Sequence, residues 1–205
     1  MQLDNKIVIL AASLGGPPLV NDILSGLRPS FDLPIIVLQQ MESDFSEPLT
    51  QAWSKTSALR MVRLSEEEEE IRSGSAYVIP YAAFPVFSKH ADEMKAHSSA
   101  LQAGQDVNSQ WAKAIEESVS EYEVILVLLS YVGLDVYQLH DSLDLLREGE
   151  GVIIRCVPSG ENNDVHIFDD SDDAAWLDMD IDQIVEYLNR ISRSKYISAR
   201  SESGH

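Results

Sequence analysis

The sequence predicts an α/β fold: a doubly wound, mostly parallel sheet with helices on both faces, a Rossmann-like three-layer sandwich. Three observations carry that expectation. Strand-like apolar runs alternate with helix-like runs along most of the chain. One run, YEVILVLLS at 122–130, is almost continuously apolar, as a central parallel strand covered on both faces must be. The first strand candidate runs through Ser13 and Leu14 into Gly15-Gly16-Pro17-Pro18, turn residues that open a helix.

The elements follow in order. KIVILAA (6–12) is the first strand. PPLVNDILSGL follows as a helix, with Leu19, Ile23, Leu24 and Leu27 at helical spacing, proline at its start and Gly26 near its end. LPIIVLQQM (33–41) is the next strand, EPLTQAWSKT a short helix, and ALRMVRL an alternating strand. SAYVIP is a short strand, and FPVFSKH is expected to pair with it in an antiparallel patch near 74–90. SQWAKAIEESV places Trp111, Ala114, Ile115, Ser118 and Val119 on one helical face. After the central strand, YQLHDSLDLLREG reads as a helix and GVIIRCV as a strand. DIDQIVEYLNRISR closes the fold as an amphipathic helix, Ile181, Ile184, Val185, Leu188 and Ile191 inward, with Asp180 and Gln183 spaced as a capping box. The expectation is one domain over 1–195 and a polar, frayed tail over 196–205.

Composition excludes several classes. At 205 residues and 44% hydrophobic, the chain can build one substantial core. A net charge of −19 argues against nucleic acid and anionic membrane surfaces, which attract basic patches. It names no partner, and the acidic runs SEEEEEIR and SGENNDVHIFDDSDDAAW read as solvated surface. There is no long apolar window for a transmembrane helix, and MQLDNK lacks the pattern of a signal peptide, so neither is expected. One cysteine, Cys156, allows no internal disulfide, fits a reducing cytoplasm, and reads as a strand thiol. No paired His or Cys spacing indicates a metal, and no cofactor is expected. Trp53, Trp111 and Trp176 are scattered as core or rim residues.

Chemistry is expected at the carboxyl ends of the strands. Ser13 stands where a strand meets a helix N-terminus, and its residue type leaves three roles open: nucleophile, anion-binding hydroxyl, or cap.

The stretch AASLGGP resembles the G-A-S-T-G-G-P motif of the CheB-type protein-glutamate methylesterases of bacterial chemotaxis. Further segments follow in family order from about Lys6 to Ile191, none of them intact. LPIIVLQQMESDFSEPL is similar to P-I-x-I-V-Q-H-M-P-x-x-F-T-x-x-L, and SEEEEEIRSGSAYVIP to E-D-G-x-x-L-x-P-G-x-V-Y-I-A-P. QAGQDVNSQWAKA is similar to R-P-S-V-D-V-L-F-x-S-A, LVLLSYVGLDVYQL to V-V-L-T-G-M-G-x-D-G-x-x-G-L, and WLDMDIDQIVEYLNRI to the closing L-P-L-x-x-I-A-x-x-L. The resemblance implies a doubly wound esterase domain with a Ser-His-Asp triad that hydrolyses glutamate γ-methyl esters on chemoreceptors. It implies no receiver domain within this chain; a separate receiver protein could take that role.

Carried over by position, Ser13 matches the nucleophile and Asp135 the aspartate that orients the base. The histidine of Q-H-M is Gln40, whose neutral amide cannot take a proton. Leu14, Gly15, Gly16, Met41, Val132 and Gly133 fall in the substrate and oxyanion region. Other departures agree: Leu14 replaces threonine, Tyr131 and Val136 replace glycines, Phe84 stands for a family histidine and Gln102 for an arginine. The helix between the last strand and the last helix is shortened to PSGENNDVH.

Each matched residue also has a plain role. Ser13 can be a turn hydroxyl and Asp135 a helix cap. Gln40 is expected as a polar filler bonded to Ser13 and Asp135. His90, His97, His140, His166 and His205 read as ordinary core or solvent histidines, with His90 and His97 expected in a loop. The resulting expectation is a cytoplasmic homologue with catalysis impaired or lost. Its partner would be a chemoreceptor cytoplasmic segment or another chemosensory signalling protein; the alternative is an active methylesterase.

Overall fold

A computed structural model describes residues 6–13, 15–41, 44–90, 93–119, 122–129, 151–157 and 176–192. Its main sheet has seven strands, in the order β10-β9-β8-β1-β2-β5-β3, and every pairing is parallel. These strands are β1 (Lys6–Ala12), β2 (Ile35–Gln39), β3 (Arg60–Arg63), β5 (Ser75–Val78), β8 (Glu123–Leu129), β9 (Val152–Cys156) and β10 (Trp176–Met179). A second, antiparallel sheet runs β4-β7-β6, from β4 (Glu69–Glu70), β6 (Ala83–His90) and β7 (Glu93–Ala100).

Alternation along the central strands divides the core between two faces. Val8, Leu10, Ala12, Ile35, Val37, Ile125 and Val127 face helices α1 (Gly16–Gly26), α2 (Ser46–Trp53) and α4 (Ile181–Ile191). Those helices return Val20, Ile23, Leu24, Trp53, Ile184 and Leu188 to the same cluster. Ile7, Ile9, Ala11, Ile36, Leu38 and Leu126 face the other way, toward α3 (Val107–Val119) with Trp111 and Ile115, and toward Ala83 and Ala96 of the second sheet. The Trp111 indole N–H donates to the Ala83 carbonyl at 3.0 Å, tying α3 to β6.

Helix α4 has the capping box read from its sequence. The Gln183 N–H donates to Asp180 Oδ1 and the Asp180 N–H to Gln183 Oε1, both at 2.9 Å. Asp180→Ala should therefore cost about 1 kcal/mol of stability, checked by urea unfolding. At its other end α4 caps α1: Asn189 Nδ2 donates to the Gly26 carbonyl at 3.1 Å, and the Arg28 N–H donates to Asn189 Oδ1 at 3.0 Å.

Two expectations change. FPVFSKH does not pair with SAYVIP: β5 lies in the main sheet between β2 and β3, and β6 pairs antiparallel with β7. His97 is therefore a strand residue, opposite Val86, and His90 ends β6 rather than lying in a loop. The inward residues of β7 include Ala96 and Ser98, too small to mark a strand by hydrophobic alternation. Strand β10 was also not expected. It lies at the sheet edge, where Arg155 Nε and NH2 grip the Asp178 carboxylate at 2.7 and 2.5 Å across the ladder. The helix expected over YQLHDSLDLLREG and the tail over 196–205 lie outside the described residues.

Candidate functional site

The order of the main sheet turns around at β1. β2 is added on one side of it, and β8, β9 and β10 on the other. The crevice at the carboxyl end of such a switch is where open α/β sheets bind ligands. Ladder register brings three chain exits to the same level there: Ala12 pairs with Gln39 on one side and with Leu129 on the other. Ser13 and Gln40 thus leave adjacent strands side by side, with the last rung of the third strand, Leu129, on the other side of Ala12 and strands roughly 4.8 Å apart.

Ser13 is buried, 4% exposed. Its carbonyl accepts the Gly16 N–H at 2.8 Å, closing the turn into α1. Gly15 supplies a left-handed φ of 83°, a conformation that costs any other residue strain. Gly16 supplies space: a Cβ there would lie 2.5 Å from Ala12 Cβ and 2.8 Å from Gln39 Oε1. The start of α1 is poor in donors, because the Gly16 N–H is used within the turn and Pro17 and Pro18 have none. An anion seated on those three residues would find no free amide.

The side chain that reaches the serine turn from β2 is that of Gln39. Its Nε2 donates to the Ser13 carbonyl at 2.9 Å and to the Gln40 carbonyl at 2.8 Å. Alternation explains this. Ile35 and Val37 face α1, so Gln39 does too, and position 40 falls on the opposite face. The expected role of amide filler at the turn therefore belongs to Gln39. Counting two residues on from Val37 would have found it. Gln40 is half-buried, and its N–H donates to the Ala12 carbonyl at 2.8 Å, extending the β1–β2 ladder to the site. Met41 follows, also half-buried.

Leu14, Tyr131, Val132, Gly133, Asp135, Val136, His140, His166 and His205 lie outside the described residues. Phe84 is partly buried against the core, opposite Ser99. Half-buried His97 belongs to the second sheet.

The loop after β2 is held by a polar cluster around the buried Ser46. Asp44 Oδ1 accepts the Ser46 hydroxyl at 2.5 Å, and Arg63 Nε donates to Ser46 Oγ at 2.8 Å. The Ser46 hydroxyl bond, helped by the Arg63 charge, holds the Asp44 carboxyl below its usual range. Two large apolar side chains stand exposed past strand ends, Phe45 after β2 and Tyr81 after β5. Cys156, at the end of β9, has its thiol pushed up to about 11 by burial and then by the Asp180 charge, which favours the protonated form at neutral pH. Among the described residues, no group of three or more His, Cys, Asp and Glu is placed to hold a metal ion. Nor is any described helix long and apolar enough to cross a membrane.

Comparison with known proteins agrees with this geometry. The family model for CheB methylesterase matches residues 8–142. A protein-glutamate methylesterase/protein-glutamine glutaminase of Geobacter metallireducens is 28% identical over 164 residues, 78% of this chain and 45% of that protein. A similarly named protein of Carboxydothermus hydrogenoformans is 35% identical over 75 residues, 37% of this chain and 22% of that protein. The chain thus spans less than half the length of these curated relatives. The crystal structure of the Thermotoga maritima CheB methylesterase catalytic domain superposes with a TM-score of 0.71 at 21% identity, over 92% of this chain and all of that one. The family match over most of the central sheet, joined to the serine turn at the switch point, places this chain in the CheB methylesterase family.

Proposed function

We propose that this domain is a CheB homologue of a chemosensory system that has given up most or all ester hydrolysis and acts by binding. One observation carries the reading: glutamine occupies position 40, the strand exit beside Ser13 where the family motif has histidine. Serine attack on an ester needs a base for the hydroxyl proton. A carboxamide accepts hydrogen bonds but takes no proton near neutral pH. Losing the base in a serine triad costs on the order of 10⁶ in turnover. By the resemblance, Tyr131, Val136, Phe84 and Gln102 also depart from the residues the family has on its substrate side.

A binding role suits what remains. The crevice keeps its glycine turn, and Phe45 and Tyr81 stand exposed after β2 and β5, aromatic side chains of the kind that anchor peptide partners. The partner would be a chemoreceptor cytoplasmic segment or another chemosensory signalling protein. A receiver domain on a separate protein could regulate it.

The second reading is an active methylesterase with Ser13 as nucleophile, Asp135 as orienter and a base other than residue 40. It is favoured by the intact Gly15–Gly16 turn behind Ser13. Methanol release from methylated receptor glutamates separates the two, with ammonia release from receptor glutamines alongside, since the relatives' names include that activity. Wild type and Ser13→Ala are expected to be equally silent while both bind a receptor fragment. Turnover that Ser13→Ala abolishes would replace the binding reading with the enzymatic one.

A further inference from the structure

Gln39 is buried, 3% exposed, and its amide is used unevenly. Both of its hydrogen bonds are donated by Nε2, one to the Ser13 carbonyl and one to the Gln40 carbonyl. Oε1 is buried with no hydrogen-bond partner. It occupies the space that a Cβ on Gly16 would fill. A buried, unpaired carbonyl oxygen is unfavourable. Methionine has nearly the same length and volume and would fill the site without an unpaired Oε1 of its own. Packing alone therefore gives no reason for an amide here; the reason lies in its two donors.

We propose that Gln39 is a positioning residue. Its NH2 group clamps the carbonyls of Ser13 and Gln40, and so holds the turn leaving β1 in fixed relation to the end of β2. The proposal rests on the reading of Ser13 and residue 40 as the two old reaction positions, the nucleophile and the base. Ladder bonds alone stop at Ala12 and Gln40, because the Gln40 N–H donates to the Ala12 carbonyl. Beyond that rung the Ser13 peptide has left the strand, and the Gln39 amide is the bond that extends the β1–β2 connection to it. The same placement makes Gly16 a companion of Gln39, since Oε1 lies where any larger residue would put its first carbon.

The test is native-state hydrogen exchange on Gln39→Met, read by NMR. The Gly16 amide, bonded to the Ser13 carbonyl, and the Gln40 amide should lose protection by about tenfold, the worth of roughly one hydrogen bond. Amides within the β1–β8 ladder should keep theirs. A uniform loss across the sheet, or no loss at the two amides, would overturn the clamp, because a residue that merely fills space moves all amides together or none. If Gln39→Met does not fold, Gln39→Leu, which also lacks both donors, must show the same local loss. A second readout uses Gln40→His as background, where adding Gln39→Met should lower kcat for a methyl ester by about tenfold at unchanged KM. If Gln40→His gains no hydrolysis at all, the functional reading fails, while the exchange result still decides the clamp.

Discussion

Gln40→His is expected to raise Ser13-dependent ester hydrolysis to a measurable rate. The strand geometry is the reason. Residue 40 leaves β2 at the level where Ser13 leaves β1, because Ala12 and Gln39 are ladder partners. An imidazole there would stand one strand away from the hydroxyl it must deprotonate. General acid–base catalysis contributes about 10²–10⁴ in rate, and the gain should fall in that range. It should stop short of full family activity, since the Tyr131 and Val136 substitutions remain. The pH profile supplies a check. A histidine base works in its neutral form, so the gained rate should rise with pH through the imidazole range near 6.5 and then level off. Methanol release with and without Ser13→Ala in the same background measures it. No gain would count against residue 40 as the position of the base.

Gly16→Ala is expected to be the most disruptive single methyl group that can be added at the site. The new carbon would meet Ala12 Cβ at 2.5 Å and Gln39 Oε1 at 2.8 Å. Ala12 cannot turn its Cβ away, because it sits in a ladder with partners on both sides. Either α1 shifts outward or the Gln39 clamp opens. Overpacking of this kind costs about 1–3 kcal/mol, which in a chain of this size lowers Tm by about 2–4 °C for each kcal/mol. Gly15→Ala separates crowding from backbone strain. Nothing lies within 4 Å of a Cβ at Gly15, so its cost should come from the left-handed φ alone. Thermal unfolding of both variants checks the pair. Equal small losses would mean that the turn relaxes freely and that Gly16 is not a contact glycine.

The strength of a sequence signal explains what was legible. The buried strands at 6–12, 35–39 and 123–129 each carry a run of at least four branched aliphatic residues, so their place at the centre of a parallel sheet follows from local pattern. The last helix declares itself through five apolar positions and a capping pair three residues apart. Ser13 and its glycines are equally local. A strand, a turn of positive φ and a helix start must follow one another in the chain, so sequence order is enough.

Strand β7 was not legible, because its inward side chains include alanine and serine, and its partner lies in a different sheet from the one expected. β10 is four residues long and is gripped by Arg155 from its neighbour, a contact that local sequence does not encode. The two glutamines are the clearest case. Both lie in LPIIVLQQM, and the resemblance marked Gln40 for its chemistry. Which of them faces α1 depends on the pleat, and which strand exits stand together depends on the register of β8, β1 and β2. By itself the sequence determined the central strands, the last helix, the serine turn and the glutamine at position 40, since each rests on residues adjacent in the chain. Only the tertiary structure decided that Gln39 holds that turn, because side-chain direction and strand neighbours are set by pairing between segments far apart in sequence.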